Sequence, residues 1–462
     1  MDEFLKLCGF EDKEIEEKRS RIKKAFEILE IGPDDLERGK SRIRKYFDID
    51  LDGIRKTLGM WIKEAVDLVL AKKDGKKVVY VSYPALPEIA AAVATLPGFF
   101  CAPPEIIIDT TMGLIFDKIN HILEAGERNG VPPGYANCSL LQARVGSIES
   151  GMSPMPDLTL CSSFLCDQAP KTDEVLLHEK HGVPVAYLDA CVDDDWKRWP
   201  NAAPRRLEYF EAVLKDAVKT FKQVTGQLIT EQMLSTGIEK YSGLLKSRVE
   251  LNELLRADPI PLSSVDMGIV NWLVRSCLRT VIEEGPEVME TLVNEVKQRV
   301  AEGRGVVEKG SPRVALSFHP TTDPRLEKMI EEAGLAISAT THSNVKVPSF
   351  FRPEGGFPSY YQEIGASGLG RGTRHSDIAM AHEHLELAKQ WNVDGVILTF
   401  MFSCRGVCIY APLAKKLLDN EGIPAILLEQ DLYDTRNYTP ESMRTKIETF
   451  AEVLRMNKAD KT

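Results

Sequence analysis

The sequence lacks several features that mark whole classes of protein. It has no apolar run of about 18 residues, the length that a membrane-spanning helix requires. Its start, MDEFLKLCGFEDKEIEEKRS, is acidic and amphipathic rather than signal-like. Basic residues are fewer than acidic ones, 58 against 69, and they are not clustered, whereas a nucleic-acid binder would show a basic face. We therefore expect a cytoplasmic protein that binds neither a membrane nor nucleic acid.

The sequence also lacks a nucleotide motif and has little cysteine. No G-x-x-x-x-G-K-[ST] stretch occurs, so there is no P-loop to hold the phosphates of ATP. Nine cysteines are present among 462 residues. In the cytoplasm thiols stay reduced, and closely spaced cysteines there more often bind metal than form disulfides.

Alternating apolar and amphipathic segments predict two parallel α/β domains. The composition, 43% apolar and 27% charged, is that of an ordinary globular protein, and the chain is long enough for two or three domains. Strands alternate with helices over 71–200 and again over 311–438, which implies βαβ units and a parallel sheet in each segment. We assign the rest of the chain to an N-terminal helical region, a helical segment and a C-terminal helix, at 1–70, 201–310 and 439–462.

The two α/β segments contain an internal repeat. Residues 166–189, CDQAPKTDEVLLHEKHGVPVAYLD, and residues 408–431, CIYAPLAKKLLDNEGIPAILLEQD, share one order of parts. Each has a cysteine, a proline, an amphipathic helix, a Gly-x-Pro turn, an apolar strand and an acid, as duplicated doubly wound domains would. Ligands of open α/β sheets bind outside the carboxyl ends of the strands. Two such edges facing each other across a cleft would bring the cysteines together.

Six of the nine cysteines lie where an apolar or Pro-Gly-rich run gives way to a predicted helix start. Helix N-termini lower the pKa of a thiol and favour the thiolate that binds iron. Six thiolates exceed the four ligands of one tetrahedral zinc, so the pattern favours an iron–sulfur assembly, with zinc as the alternative. We interpret Cys8, Cys191 and Cys277 as structural thiols. The candidate ligands are Cys101, Cys138, Cys161, Cys166, Cys404 and Cys408.

The sequence around these cysteines resembles one family of enzymes. Residues 99–115, FFCAPPEIIIDTTMGLI, are similar to its N-terminal motif, although 109–111 depart from the usual alanine-glycine pair. Residues 136–146 resemble its first ligand motif, and 166–176 its Cys-Asp-Gly-Lys-Lys segment. Residues 403–454 repeat its order of cysteine, helix, Gly-Ile-Pro, Glu/Asp-x-Asp and Arg-Asn. The family comprises the subunits of 2-hydroxyacyl-CoA dehydratases and benzoyl-CoA reductases, together with double-cubane-cluster reductases.

The resemblance implies two flavodoxin-like domains with an iron–sulfur cluster in the cleft between them. It assigns the three thiolates of a [4Fe–4S] cluster to Cys138, Cys166 and Cys404, and leaves one iron open to a ligand. Three further thiols would complete an [8Fe–9S] double cubane, which we favour, or would line the pocket and tune its potential. These are Cys101, Cys161 and Cys408.

The resemblance also implies reductive chemistry that depends on a partner. The family takes low-potential electrons from a separate ATP-hydrolysing iron–sulfur activator, which fits the missing P-loop. We predict an iron–sulfur reductase with a double cubane. The alternatives are a single-cluster subunit of an (R)-2-hydroxyacyl-CoA dehydratase or aryl-CoA reductase, and a non-catalytic electron carrier. The substrate would be an acyl-CoA or a small molecule, and the chain would pair with a copy of itself or a homologous subunit.

A glycine-rich stretch at 365–372 has two interpretations. It could bind a CoA phosphate at the start of the following helix, or it could be a flexible loop, because its glycines do not follow a strand. His375, His382 and His384 come next. One of them could supply a proton, although solvent-facing histidines on a helix are the commoner case.

Overall fold

The structure is a computed structural model, and it contains two sheets surrounded by helices. Three residues considered above, Cys191, Cys277 and His375, lie outside the part of the chain that it describes. The described residues are 1–82, 86–134, 137–163, 166–189, 196–276, 278–317, 323–341, 343, 356–370, 376–401, 404–436 and 439–460.

The first sheet has four parallel strands in the order β2-β1-β3-β4. Apolar residues of β1 and β3 are buried on both faces, as is typical of the inner strands of a parallel sheet. Val79 of β1 lies opposite Cys101 of β2 and Leu158 of β3. The strands are β1 (Lys77–Val81), β2 (Phe99–Ala102), β3 (Leu158–Ser162) and β4 (Val185–Leu188).

The second sheet repeats the first. Its four parallel strands run in the order β6-β5-β7-β8. In each sheet, the strand that comes second in the chain therefore lies at the edge, next to the strand that comes first. This is the order of flavodoxin-like doubly wound folds, and the predicted α/β fold class is confirmed. The strands are β5 (Arg313–Ser317), β6 (Ala336–Thr340), β7 (Gly395–Met401) and β8 (Ala425–Gln430).

Helices surround both sheets, and none within the described ranges is long and apolar enough to cross a membrane. Two π-helical segments, Asp109–Ile115 and Asp173–Glu179, continue α6 and α9, and a short 3-10 turn covers Trp196–Arg198. The α-helices are α1 (Asp2–Leu7), α2 (Asp12–Ile28), α3 (Pro33–Tyr46), α4 (Asp52–Leu70), α5 (Pro87–Ala94), α6 (Pro104–Ile108), α7 (Asn120–Arg128), α8 (Ser139–Glu149), α9 (Gln168–Thr172), α10 (Pro204–Thr225), α11 (Glu231–Leu254), α12 (Ser264–Ser276), α13 (Arg279–Glu302), α14 (Arg325–Glu332), α15 (Tyr360–Leu369), α16 (Asp377–Trp391), α17 (Arg405–Asn420) and α18 (Pro440–Ala459).

The last strand of each sheet begins at the Gly-x-Pro turn that the sequence repeats. Gly182 and Gly422 adopt φ of +71° and +70°, a region that glycine enters without the strain of a Cβ. The carbonyls of Pro184 and Pro424 then accept backbone N–H groups of the neighbouring strand at 3.0 and 2.9 Å. The same three residues therefore start the pairing of β4 and of β8.

The helices between the two sheets pack against the first half of the chain. α11 lies on α5 and α13, and α13 lies on α4. One continuous core of buried side chains extends from α1 through the first sheet and these helices into the second sheet, while a smaller core lies between the second sheet, α14 and α18. The helical segment is therefore part of the main core, whereas the domain limits given above stay a prediction.

Buried carboxyl groups lie where α12 meets α14. Burial raises the pKa of Glu327 to about 8 and that of Asp266 to about 7. Burial also raises the pKa of Glu331, which accepts the backbone N–H of Ser264 at 3.1 Å. A charged carboxylate costs free energy in such surroundings, so the junction between the helical segment and the second sheet is most stable with these acids protonated.

Stability at this junction is expected to fall as the pH rises. The folded pKa of Glu327 lies above its unfolded value, so its contribution is full below pH of about 4.5 and is lost progressively up to about 8. We expect Glu327→Gln to gain about 3 kcal/mol over wild type between pH 5.5 and 8. Urea unfolding at both pH values measures this difference. An equal difference at the two pH values would contradict the assignment.

Candidate functional site

Three of the predicted ligands lie at helix starts beside the carboxyl edges of the two sheets. Cys138 is the N-cap of α8, and Cys404, which comes after β7, is the N-cap of α17. Cys166 comes after β3, two residues before α9. Two of these cysteines therefore come from the first sheet and one from the second.

Backbone N–H groups of the first helical turn point at these three sulfur atoms. The N–H of Gln168 donates to Cys166 Sγ at 3.3 Å. Burial raises the pKa of Cys404 to about 11, while its hydrogen bond with the backbone N–H of Val407 lowers it. The backbone of Leu141 acts in the same way on Cys138, whose pKa burial raises well above its usual value. Each helix thus offers a thiolate the positive end of its dipole.

The three thiols lie close enough to affect each other's ionisation. After burial, the charges of Cys166 and Cys404 are the next causes that raise the pKa of Cys138. The charges of Cys166 and Cys408 likewise raise the pKa of Cys404. The structure therefore brings Cys138, Cys166 and Cys404 together from both sheets.

The other three candidate cysteines have different surroundings. Cys101 lies within β2, and burial raises its pKa to about 12. Cys161 lies within β3 and its Sγ donates to Asp173 Oδ2 at 3.0 Å. Cys408, in the first turn of α17, donates to the carbonyl of Met401 at 3.0 Å. Their role as ligands of a second cube stays a prediction.

The donor set at the three helix starts fits an iron–sulfur cluster. Burial disfavours a lone thiolate, whereas coordination to a metal deprotonates a thiol outright. Hydrogen bonds to sulfur are one of the means by which proteins set cluster potentials. Across the described part of the chain, no three His, Cys, Asp or Glu side chains lie close enough to hold a single metal ion. A cluster of several irons and sulfides requires wider ligand spacing than one ion does.

A polar network links the start of α8 to the second sheet. Ser139 Oγ donates to the carboxylate of Asp431 and accepts the backbone N–H of Tyr433 at 2.9 Å. Arg436 pairs with Glu127 of α7 at 2.6 Å. Residues 431–436 follow β8, so these bonds join the carboxyl edge of the second sheet to α7 and to α8, the helix that Cys138 caps. The sequence identified residues 431–436 only through the family resemblance, and it did not predict their bonds to Ser139 and Glu127.

His384 is buried, contrary to the interpretation of solvent-facing histidines. Its side chain is 2% exposed, its Nδ1–H donates to the carbonyl of Met380 at 2.7 Å, and its ring stacks on Tyr410 with centroids 5.0 Å apart. Burial lowers its pKa to about 4, so the imidazole is neutral at physiological pH. His382 is partly exposed on the same helix.

The glycine-rich stretch is helical over 365–369, so the flexible-loop interpretation is wrong for these residues. They form the end of α15, which packs against α10. A Cβ on Gly365 would lie 2.8 Å from the ring of Phe210, so glycine is needed there for close packing. The next helix, α16, is capped by Ser376, whose side chain accepts the N–H of Ala379 at 3.1 Å. Residues 371–375 lie outside the described part.

Known proteins are similar to this chain over most of its length. The family model described as "2-hydroxyglutaryl-CoA dehydratase, D-component" matches residues 85–454, which include the three helix-start cysteines. The chain is 22% identical to the (R)-phenyllactyl-CoA dehydratase alpha subunit of Clostridium sporogenes, over 70% of this chain and 76% of that subunit. It is 24% identical to the beta subunit from the same organism, over 54% of this chain and 64% of that subunit.

Proposed function

Because the chain belongs to the 2-hydroxyglutaryl-CoA dehydratase D-component family, we propose that it is the iron–sulfur subunit of a 2-hydroxyacyl-CoA dehydratase or a related reductase. The meeting of Cys138, Cys166 and Cys404 at three helix starts carries this proposal. Three thiolates hold a [4Fe–4S] cluster by three of its four corners. The thiols stay reduced in the cytoplasm, where we place the protein.

The chain's own residues would hold the cluster and shape its surroundings. When bound, a three-thiolate cluster supplies an open iron that polarises a substrate oxygen and passes single electrons. The helix starts of α8 and α17 stabilise the negative thiolates of Cys138 and Cys404 through their backbone N–H groups. The Ser139 and Arg436 contacts hold the two sheets at a fixed distance around the site.

Electrons would come from a separate ATP-hydrolysing iron–sulfur activator. The sequence has no P-loop of its own, and reduction of a thioester needs a strongly reducing electron, with each 59 mV worth about tenfold in equilibrium. We therefore expect turnover of an acyl-CoA only with activator and ATP together. A coupled assay with each component omitted in turn tests this. ATP hydrolysis by this chain alone at the rate of turnover would contradict it.

A partner subunit is part of the proposal. The relatives are alpha and beta subunits of one dehydratase, so the chain would pair with a homologous subunit or with a second copy of itself. Measurement of the mass of the native particle distinguishes a monomer from either dimer. Turnover of acyl-CoA by the dimer would separate an enzyme from a non-catalytic electron carrier.

The second candidate is a reductase with a double cubane. The observation that favours it is the position of Cys408, one helical turn after Cys404 at the start of α17. Anaerobic purification followed by iron and sulfide analysis distinguishes the two, since a single cube gives about four irons per chain and a double cubane about eight. Cys408→Ser is expected to leave four irons in the first case and to lower the iron content by about half in the second. A wild-type chain without iron would overturn both candidates.

A further inference from the structure

A buried ion network joins the helical segments that follow Cys138 and Cys166. Arg144 of α8 donates through Nε to Asp173 Oδ1 at 2.7 Å and through Nη2 to Asp173 Oδ2 at 2.8 Å. Its Nη1 donates to Glu105 at 2.9 Å. The side chains of all three residues are at most 1% exposed. The guanidinium is therefore held by carboxylates on two sides.

The bridge joins the two helical segments that begin at ligand cysteines. Arg144 is six residues after Cys138 on α8, and Asp173 is seven residues after Cys166, at the junction of α9 and its π-helical continuation. At 1.5 Å per residue along α8, Arg144 lies about 9 Å from the helix start that Cys138 caps. The planar, two-point contact between guanidinium and carboxylate fixes both distance and angle. It therefore fixes one segment relative to the other.

Asp173 also ties this bridge to the strands. Its Oδ2 accepts the hydroxyl of Ser82, just after β1, at 2.8 Å and the thiol of Cys161, in β3, at 3.0 Å. The ring of Tyr80 lies 5.7 Å from Arg144 Cζ, within cation–π range. The two helical segments and the two central strands thus meet at one carboxylate.

We propose that Arg144 and Asp173 are positioning residues that set the separation of Cys138 and Cys166, a role that depends on the proposed cluster. Stability alone explains such a network poorly, because buried ion pairs are often no more stabilising than apolar side chains of similar volume. A fixed ligand spacing is a function that apolar packing provides less well.

The second sheet offers an internal comparison. It supplies one of the three core thiols, Cys404. Its helices α16 and α17 take the places of α8 and α9, so the counterparts of Arg144 and Asp173 are His382, six residues after Ser376, and Ala411, seven residues after Cys404. The two-point ion bridge is therefore found in the half of the protein that must hold two thiols at a set spacing.

The test compares Asp173→Asn and Arg144→Lys with a matched control, Asp266→Asn. Asparagine keeps the shape of Asp173 but loses the charge, and lysine keeps the charge of Arg144 but cannot bridge two oxygens in the same plane. Asp266 is a buried carboxyl that contacts Ser263 and Asp48, away from the helical segments that begin at Cys138 and Cys166. Each variant is reconstituted anaerobically with iron and sulfide. Iron content, the electron paramagnetic resonance spectrum, the reduction potential and the rate of cluster loss to a chelator are then measured, with thermal unfolding of the iron-free chain as the measure of stability.

We expect the two bridge variants to lose their cluster to the chelator about 10- to 100-fold faster than wild type. Their spectrum and potential should shift as well. Asp266→Asn should keep the wild-type values of all four cluster measurements, even if its iron-free chain unfolds at the same temperature as the bridge variants. A bridge variant that matches wild type in all four cluster measurements would overturn the proposal.

Two further outcomes are decisive. If neither bridge variant folds, Ser82→Ala takes their place, because it removes one hydrogen bond to Asp173. We then expect Ser82→Ala to lose its cluster faster than Asp266→Asn. A wild-type rate of cluster loss in Ser82→Ala would overturn the proposal. If the wild-type chain forms no cluster, the proposed function fails and the positioning role fails with it. If the wild-type chain holds a cluster, the proposed function stands, whether or not the bridge variants lose theirs faster.

Discussion

Serine in place of Cys404 is expected to reduce bound iron by at least about tenfold. Cys404 is the one member of the core set that the second sheet contributes, so its loss leaves two thiolates on the first sheet and none opposite. A serine hydroxyl is a harder ligand and stays protonated where a thiol would ionise. Iron and sulfide analysis of the anaerobically purified variant, with the visible absorbance of the cluster, measures the loss. Turnover should fall to the same extent.

The matched control for this variant is Cys8→Ala. Cys8 is a fully buried thiol at the end of α1, and burial raises its pKa far above the usual value. Its removal leaves a small cavity in the N-terminal core and should cost stability without loss of iron. Wild-type iron content in Cys404→Ser would refute the assignment of this ligand. Equal loss of iron in both variants would show that iron content follows stability.

Alanine at Gly146 is expected to destabilise the protein by about 3 kcal/mol. α7 and α8 approach each other backbone to backbone, and a Cβ on Gly146 would lie 1.9 Å from the carbonyl oxygen of Ile122. The contact is reciprocal, since a Cβ on Gly126 would lie 2.4 Å from the carbonyl oxygen of Gln142. A methyl group must therefore push the two helices apart. Because α8 begins at Cys138, the displacement should weaken iron binding too.

Gly243→Ala is the control for this substitution. Gly243 lies on α11, and a Cβ there would meet no other atom within 4 Å. Alanine should stabilise this helix by about 0.5–1 kcal/mol, because glycine loses more conformational freedom on folding. Urea unfolding of the two variants should thus give changes of opposite sign. A stabilised Gly146→Ala would show that α7 and α8 can separate at little cost.

The strands that the sequence predicted are those with distinctive local patterns. β1 and β7 are β-branched or apolar runs bounded by charge, and β4 and β8 follow a Gly-x-Pro turn. β2 and β6 have no such pattern. These edge strands have four and five residues, and each follows a glycine with positive φ, Gly98 or Gly334. A short run after a helix end carries too little pattern to distinguish a strand from a turn.

The cysteines of the candidate site could be selected from the sequence. Their positions relative to the helix starts, and the side chains that contact the helices behind them, could not. The repeat pairs Cys166 with Cys408, since each precedes a proline by four residues. In the structure α17 begins one turn earlier, so that Cys404 takes the helix-start position that Cys166 occupies. The contact of Arg144 with Asp173 joins residues 29 apart in the chain. Such partners are set by tertiary packing and leave no periodic trace in the sequence.

A chain built from two copies of one fold would be expected to offer its ligands in even numbers. The helix before the third strand is capped by Cys138 in the first copy and by Ser376 in the second. The two side chains differ by one atom, sulfur against oxygen, and oxygen has the lower affinity for iron in a sulfide cluster. The serine uses its oxygen to close its own helix turn instead. In the proposed ligand set the even number is lost at this one position, and a four-cornered cluster held by three such thiols would keep one corner for a molecule from outside.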